Sequence, residues 1–142
     1  MTVFLADKSA WEQAKYHQEV EDRLLDLRID GRLAICGVTA AELLFSARNA
    51  DDFVALRADY EALRWLSTGP TVEARVLDVM LALSRRGQHR SVGIPDLMVA
   101  ATAEQHGATV LHYDSDFERI AEITGQPHEW VVRRGAGHGM ER

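Results

Sequence analysis

The sequence predicts an α/β protein with three α/β/α layers around a central, mainly parallel sheet of about four to five strands. Three observations predict it. Short apolar runs rich in branched residues alternate with longer stretches of helical spacing, in the order β-α-β-α-α-α-α-β-α-β. Strands separated by helices run parallel, because a crossover is needed between them. The chain has 142 residues, 46% of them hydrophobic and 27% charged, which suits one domain with a sizeable core.

The elements follow in order. Residues 2–6 form a buried strand. Ser9 and Glu12 have the spacing of a capping box, so a helix is expected over residues 8–27. Asp30 and Gly31 make a turn. Residues 33–38 read as a second strand. Thr39 and Glu42 give a second capping box, opening a helix to about Arg48 that Asn49 ends in the left-handed region. Phe53, Leu56, Tyr60 and Leu63 mark another helix beginning near Asp51. After a loop over residues 67–70, Thr71 caps a long helix with the stripe Val72, Val76, Val79, Met80 and Leu83, stopped by Gly87. Pro95 suits the first turn of the next helix, which Gly107 stops. Residues 109–112 are the third strand, a short helix ends near Gly125, and residues 130–132 are a fourth strand. The domain is expected to span residues 1–132, with residues 133–142 a disordered tail rich in Gly, Arg and His.

Composition removes several functions. A net charge of -6 argues against coating nucleic acid by bulk charge, though not against cutting it with a carboxylate-held metal. The single Cys36 excludes an internal disulfide and a Cys-based zinc site. No apolar run approaches the ~20 residues that span a bilayer, and the N-terminus lacks a basic leader, so the expected compartment is the cytoplasm.

Asp7, Glu42 and Asp114 follow strands or open the helix after one, so a parallel sheet would gather them at its carboxyl edge, where such sheets bind ligands, and Asp96 joins them if its helix packs with its start toward that edge. Gathered carboxylates repel one another, and a hard divalent cation with oxygen ligands relieves the repulsion. Each acid also has a structural reading. Glu42 could complete a capping box, Asp96 could favour a helix dipole, and Asp114 and Asp116 could form a turn, with Asp116 the cap. Asp7, ending an apolar strand, is the hardest to explain without a ligand.

Four motifs, in order, resemble the PIN-domain family, in particular the VapC-type toxins of bacterial and archaeal toxin–antitoxin pairs. They are Phe4-Leu5-Ala6-Asp7-Lys8-Ser9-Ala10-Trp11, Val38-Thr39-Ala40-Ala41-Glu42-Leu43, Ile94-Pro95-Asp96-Leu97 with its alanine-rich continuation, and Val110-Leu111-His112-Tyr113-Asp114-Ser115-Asp116-Phe117. The resemblance implies a PIN-like fold and a Mg²⁺- or Mn²⁺-dependent endoribonuclease. Asp7, Glu42, Asp96 and Asp114 would be its catalytic, metal-holding acids, Asp7 and Asp96 the direct ligands. Ser9 and Asp116 would support them. It also implies an antitoxin held in a groove of the helices after the first and second strands, and a homodimer. Two positions depart from the family pattern. Lys8 stands where Thr or Ser usually follows the first acid, and His112 where a Thr usually precedes the last.

RNA needs cations near this site. Lys8 and the run Arg85, Arg86, His89 and Arg90 are the candidates, the run reading equally as a helix C-terminus followed by a solvated loop. Arg133, Arg134, His138 and Arg142 could also touch RNA, though a frayed tail is the first reading, and Tyr113 is expected at a surface turn. Lys8 and His112 motivate an alternative, a catalytically weak PIN fold that acts by binding RNA or protein. A phosphatase with an aspartate nucleophile ranks last, since Ser9 stands where its second Asp would.

Overall fold

The structure, a computed structural model, describes residues 1–138. Its elements are β1 (Phe4–Ala6), α1 (Lys8–Gln13), α2 (Gln18–Ile29), β2 (Leu33–Ile35), α3 (Gly37–Leu44), α4 (Ala50–Glu61), β3 (Arg64–Trp65), α5 (Pro70–Arg85), α6 (Ile94–His106), β4 (Thr109–His112), α7 (Asp116–Thr124) and β5 (His128–Trp130). The strands form one sheet in the order β3-β2-β1-β4-β5, every pair parallel. The chain winds outward from β1 to β3 and returns to the other side of β1 with β4. The switch point therefore lies between β1 and β4, where ligands of open parallel sheets bind.

Alternation along the strands builds the two faces. Phe4, Ala6, Leu33, Ile35 and Leu111 pack on one face with Ala10, Val20, Leu24 and Leu27 of α1 and α2. Leu5, Ala34 and Val110 point the other way, onto Val72, Val76, Val79 and Leu83 of α5, with α6 and α7 beside them. Full burial of each such Leu or Val contributes roughly 1.5–3 kcal/mol, so these two layers fix the sheet that carries the acids. No helix among the described residues is long and apolar enough to cross a membrane.

Several local expectations are corrected. The single helix over residues 8–27 is two helices broken at residues 14–17. The core spacing Ala10, Gln13, Val20, Leu24, Leu27 runs through the break, so periodicity does not register it. The second strand ends at Ile35, and Cys36 rather than Thr39 precedes α3. Asn49 does not end a helix; it opens α4 by accepting from the Asp52 N–H at 2.8 Å. Gly69, not Thr71, precedes α5, with Pro70 in its first turn. The two-residue edge strand β3 carries too little pattern to be read, and β5 starts two residues before the expected strand.

Residues 133–138, expected as disordered tail, turn back across the sheet's carboxyl edge. The N–H groups of Gly135 and Gly137 donate to Tyr113 Oη at 3.0 and 2.9 Å, and Arg134 pairs with Glu118 at 2.7 Å. Residues 139–142 of that expected tail, Arg142 among them, lie outside the described residues.

Candidate active site

Asp7 leaves β1 and begins α1. Its Oδ2 accepts from the Ser9 N–H at 3.0 Å and the Ser9 hydroxyl at 2.7 Å, which gives this carboxylate a helix-capping job. Capping occupies one oxygen only. Oδ1 is buried with no hydrogen-bond partner, in a residue only 3% exposed. Burial pushes the Asp7 carboxyl above the ordinary range, and the bonds from Ser9 oppose it. Ser9 Oγ also accepts from the Tyr113 N–H at 2.8 Å, tying the end of β1 to the end of β4.

At the end of β4, His112 is fully buried. Its Nδ1 accepts from the Asp114 N–H at 3.0 Å, and its Nε2 lies 2.9 Å from His128 Nδ1. A ring that accepts at Nδ1 carries its proton on Nε2, so His112 is neutral and donates to His128. Burial, then the neighbouring His128, pushes its pKa down to about 3. The imidazole thus aims the Asp114 backbone, in the place where the family has a hydroxyl.

The turn that follows reverses one expectation. Asp114 Oδ1, not Asp116, closes the turn, accepting from the Asp116 N–H at 2.9 Å. The Asp116 carboxylate reaches back to the start of α6, accepting from the Gly93 N–H at 3.1 Å and from Arg119 at 2.8 Å. Carboxylate oxygens of Asp96, Asp114 and Asp116 all lie within 4.8 Å of one another. Asp96 is accordingly pushed up to about 10, by burial first, then by its hydrogen bond with Asp116 and the charges of Asp7, Asp114 and Asp116.

Glu42 sits in the second turn of α3, so the capping-box reading does not apply to it. It faces a cavity of about 240 Å³ that Asp7, Asp96 and Asp114 also line. The four acids line one cavity, and among the described residues the carboxylates within 4.8 Å of one another are those of Asp96, Asp114 and Asp116. Lys8 lines the cavity too, paired with Glu12 at 3.5 Å rather than with Asp7. Arg85, Arg86, His89 and Arg90 do not line it; they are exposed at the end of α5 and in the loop after it, with Arg86 3.5 Å from Glu122.

Four lining residues were missed from the sequence. Glu12 and Gln13 come from the inner side of α1, and Tyr113 is 4% exposed instead of lying at a surface turn. Its position between two residues of the last motif was the available signal. His138, assigned to the tail, forms part of the cavity rim.

The donor set fits a hard divalent cation. It is all oxygen, it includes a buried Asp7 oxygen with no hydrogen-bond partner among the described residues, and burial with the neighbouring carboxylates pushes Asp96 up to about 10. Asp7, Glu42, Asp96 and Asp114 would hold the ion, with Asp116 against Asp96.

Comparison with known proteins identifies the fold and family. The PIN domain pattern matches residues 4–123. Ribonuclease VapC21 of Mycobacterium tuberculosis is 48% identical over 135 residues, covering 94% of this chain and 97% of the relative. Among solved structures, the fold is similar to a DNA-bound VapBC from Salmonella typhimurium, with a TM-score of 0.74 and 21% identity over 93% of this chain and all of that one. It is also similar to VapBC-5 from Mycobacterium tuberculosis, a member of the VapBC family of toxin–antitoxin systems, with a TM-score of 0.58 and 25% identity over 91% of this chain and 97% of that one. With its acids at the β1/β4 switch point and a matching relative along nearly its whole length, the chain belongs to the PIN-domain family and is of VapC type.

Proposed function

We propose that this chain is the endoribonuclease toxin of a toxin–antitoxin pair, acting in the cytoplasm with Mg²⁺ or Mn²⁺ held by Asp7, Glu42, Asp96 and Asp114. The observation that carries the reading is one cavity lined by the orphaned Asp7 Oδ1 and by Asp96, whose carboxyl burial and then its acidic neighbours push up to about 10. A bound divalent ion supplies an activated water and offsets charge on the leaving oxygen of a phosphodiester. The protein's part is positioning. Ser9 fixes the Asp7 carboxylate, His112 fixes the Asp114 backbone, and Asp116 bonds both Asp96 and the Gly93 N–H at the start of α6. Lys8, at the cavity wall, meets an RNA phosphate.

The antitoxin seat is the apolar groove of about 480 Å³ between α3 and α4. Leu44, Phe45, Phe53, Tyr60 and Trp65 line it, and Phe45 is 91% exposed. A contiguous exposed apolar surface of this kind, rather than a single aromatic, marks a partner site. A homodimer is part of the same reading.

The test uses purified chain free of antitoxin. RNA cleavage is expected with Mg²⁺ or Mn²⁺, stopped by EDTA and absent in both Asp7→Asn and Asp96→Asn. Cleavage retained in both variants sinks the site assignment. RNA bound without metal-dependent cleavage, and no calorimetric metal binding, points instead to the catalytically weak binding protein.

A further inference from the structure

A second, polar cleft of about 280 Å³ adjoins the acidic cavity, lined by Glu12, Gln13, Lys15, Tyr16 and His138. Glu12, Gln13 and His138 line both spaces, so the two share a wall. Specific bonds hold that wall in place. Gln13 is 5% exposed, and its side-chain amide grips the main chain of His138: Nε2 donates to the carbonyl at 2.8 Å, and Oε1 accepts from the N–H at 2.7 Å. Just upstream, Gly137 lies so close to the Tyr113 ring that a Cβ there would stand 2.6 and 2.7 Å from Cε1 and Cε2. Only glycine permits that approach.

Held this way, the His138 imidazole lies flat on the Tyr16 ring, with centroids 3.6 Å apart and planes inclined by 21°. Tyr16 is 57% exposed and contributes nothing to either core layer. Lys15 beside it is also exposed. An exposed aromatic pair next to a lysine, opening toward a cavity of carboxylates, has the chemistry of single-strand recognition: every base offers a π-face, and the cation meets the backbone.

We propose that Lys15, Tyr16 and His138 form a nucleotide subsite for single-stranded RNA beside the acidic cavity. A base flanking the cut bond extends the Tyr16–His138 stack, and Lys15 meets the adjacent phosphate. The subsite supplies local purchase that a chain of net charge -6 lacks overall. It rests on the nuclease reading above, and tolerates base identity because stacking does.

The experiment compares full-length wild type, Tyr16→Ala, Tyr16→Phe and Gln13→Ala on a short RNA that wild type cleaves with Mn²⁺. A parallel series removes one base at a time on either side of the cut. Tyr16→Ala is expected to raise KM roughly tenfold with kcat within about twofold, and Tyr16→Phe to restore wild-type KM. Gln13→Ala, which releases His138, raises KM as well. One abasic position should weaken wild type by the same factor and Tyr16→Ala no further. An unchanged KM in Tyr16→Ala overturns the subsite, as do Tyr16 and abasic effects that multiply at every position. Both outcomes leave the nuclease reading standing on its own metal-dependent cleavage. Tyr16→Ala weakening antitoxin binding with KM unchanged also overturns it, and gives the cleft to a protein partner. Failure of wild type to cut any RNA removes the nuclease reading and the subsite together.

Discussion

Replacing Asp96 by Asn should abolish cleavage and stabilise the metal-free fold. The two effects have one origin. The native carboxyl titrates near 10, because burial and the surrounding carboxylates disfavour its charge, against 3.8 for the unperturbed group. Between those values the native state keeps a proton that the unfolded chain has released, so stability falls as pH rises from about 4 to about 10. At pH 7 the gap is ~3 pH units, and at 1.36 kcal/mol per unit the ceiling of the penalty is ~4 kcal/mol. Asn removes the proton uptake but keeps the burial of a polar group and a donor toward Asp116. The expected gain is therefore about 1–3 kcal/mol at pH 7, growing toward pH 9 and vanishing near pH 4. The assay is thermal or urea unfolding in EDTA at several pH values, repeated with Mn²⁺. Added metal should stabilise wild type, increasingly with pH because binding displaces the Asp96 proton, and should barely move the variant. A variant no more stable than wild type in EDTA at pH 8, or stabilised equally by Mn²⁺, refutes the picture of a carboxylate cluster strained until a cation arrives.

Three further outcomes follow from the same geometry. Ser9→Ala removes the hydroxyl that bonds Asp7 Oδ2 and accepts from the Tyr113 N–H, so unfolding should cost about 1–3 kcal/mol less; losing a bond that lowers the Asp7 pKa should also move the pH midpoint of metal binding upward. His112→Phe keeps the ring volume but strands the Asp114 N–H, so roughly 2–3 kcal/mol of stability at pH 7 and most of kcat should be lost, measured by urea unfolding and single-turnover cleavage. Wild-type His112, neutral in the fold with a pKa near 3 against 6.5, takes up a proton on unfolding, so wild type should lose stability from about pH 6.5 down toward 3 while the variant is flatter there. Gly137→Ala drives a Cβ into the Tyr113 ring, and should shift residues 133–138 away from the cavity, raising KM for RNA with a melting change of only a few degrees.

Sequence alone determined the layers and the four acids. Apolar runs of three to four residues between amphipathic helices leave few arrangements other than a parallel sheet covered on both faces, and the structure has that sheet. In such a sheet a residue that follows a strand lies at the carboxyl edge whatever the loops do, so Asp7 and Asp114 were legible as neighbours. Glu42 followed from a helix that begins at that edge, whereas Asp96 joined them because α6 packs with its start there, a matter of packing.

Tertiary contacts decided the rest. Nothing in the pattern Ala10, Gln13, Val20 reveals that the chain breaks after Gln13, because the core spacing is kept across the turn. The roles of Asp114 and Asp116 were exchanged because the choice between them depends on where α6 begins, some twenty residues earlier in the chain. The Gly-rich segment after Val132 has the composition of a frayed end, yet its main chain is held by Tyr113 Oη and the Gln13 amide. Local spacing encodes which side of a helix or strand is apolar. Which distant polar group will satisfy a given N–H is fixed only when the layers have packed, and at this site those distant bonds aim the carboxylates and close the rim.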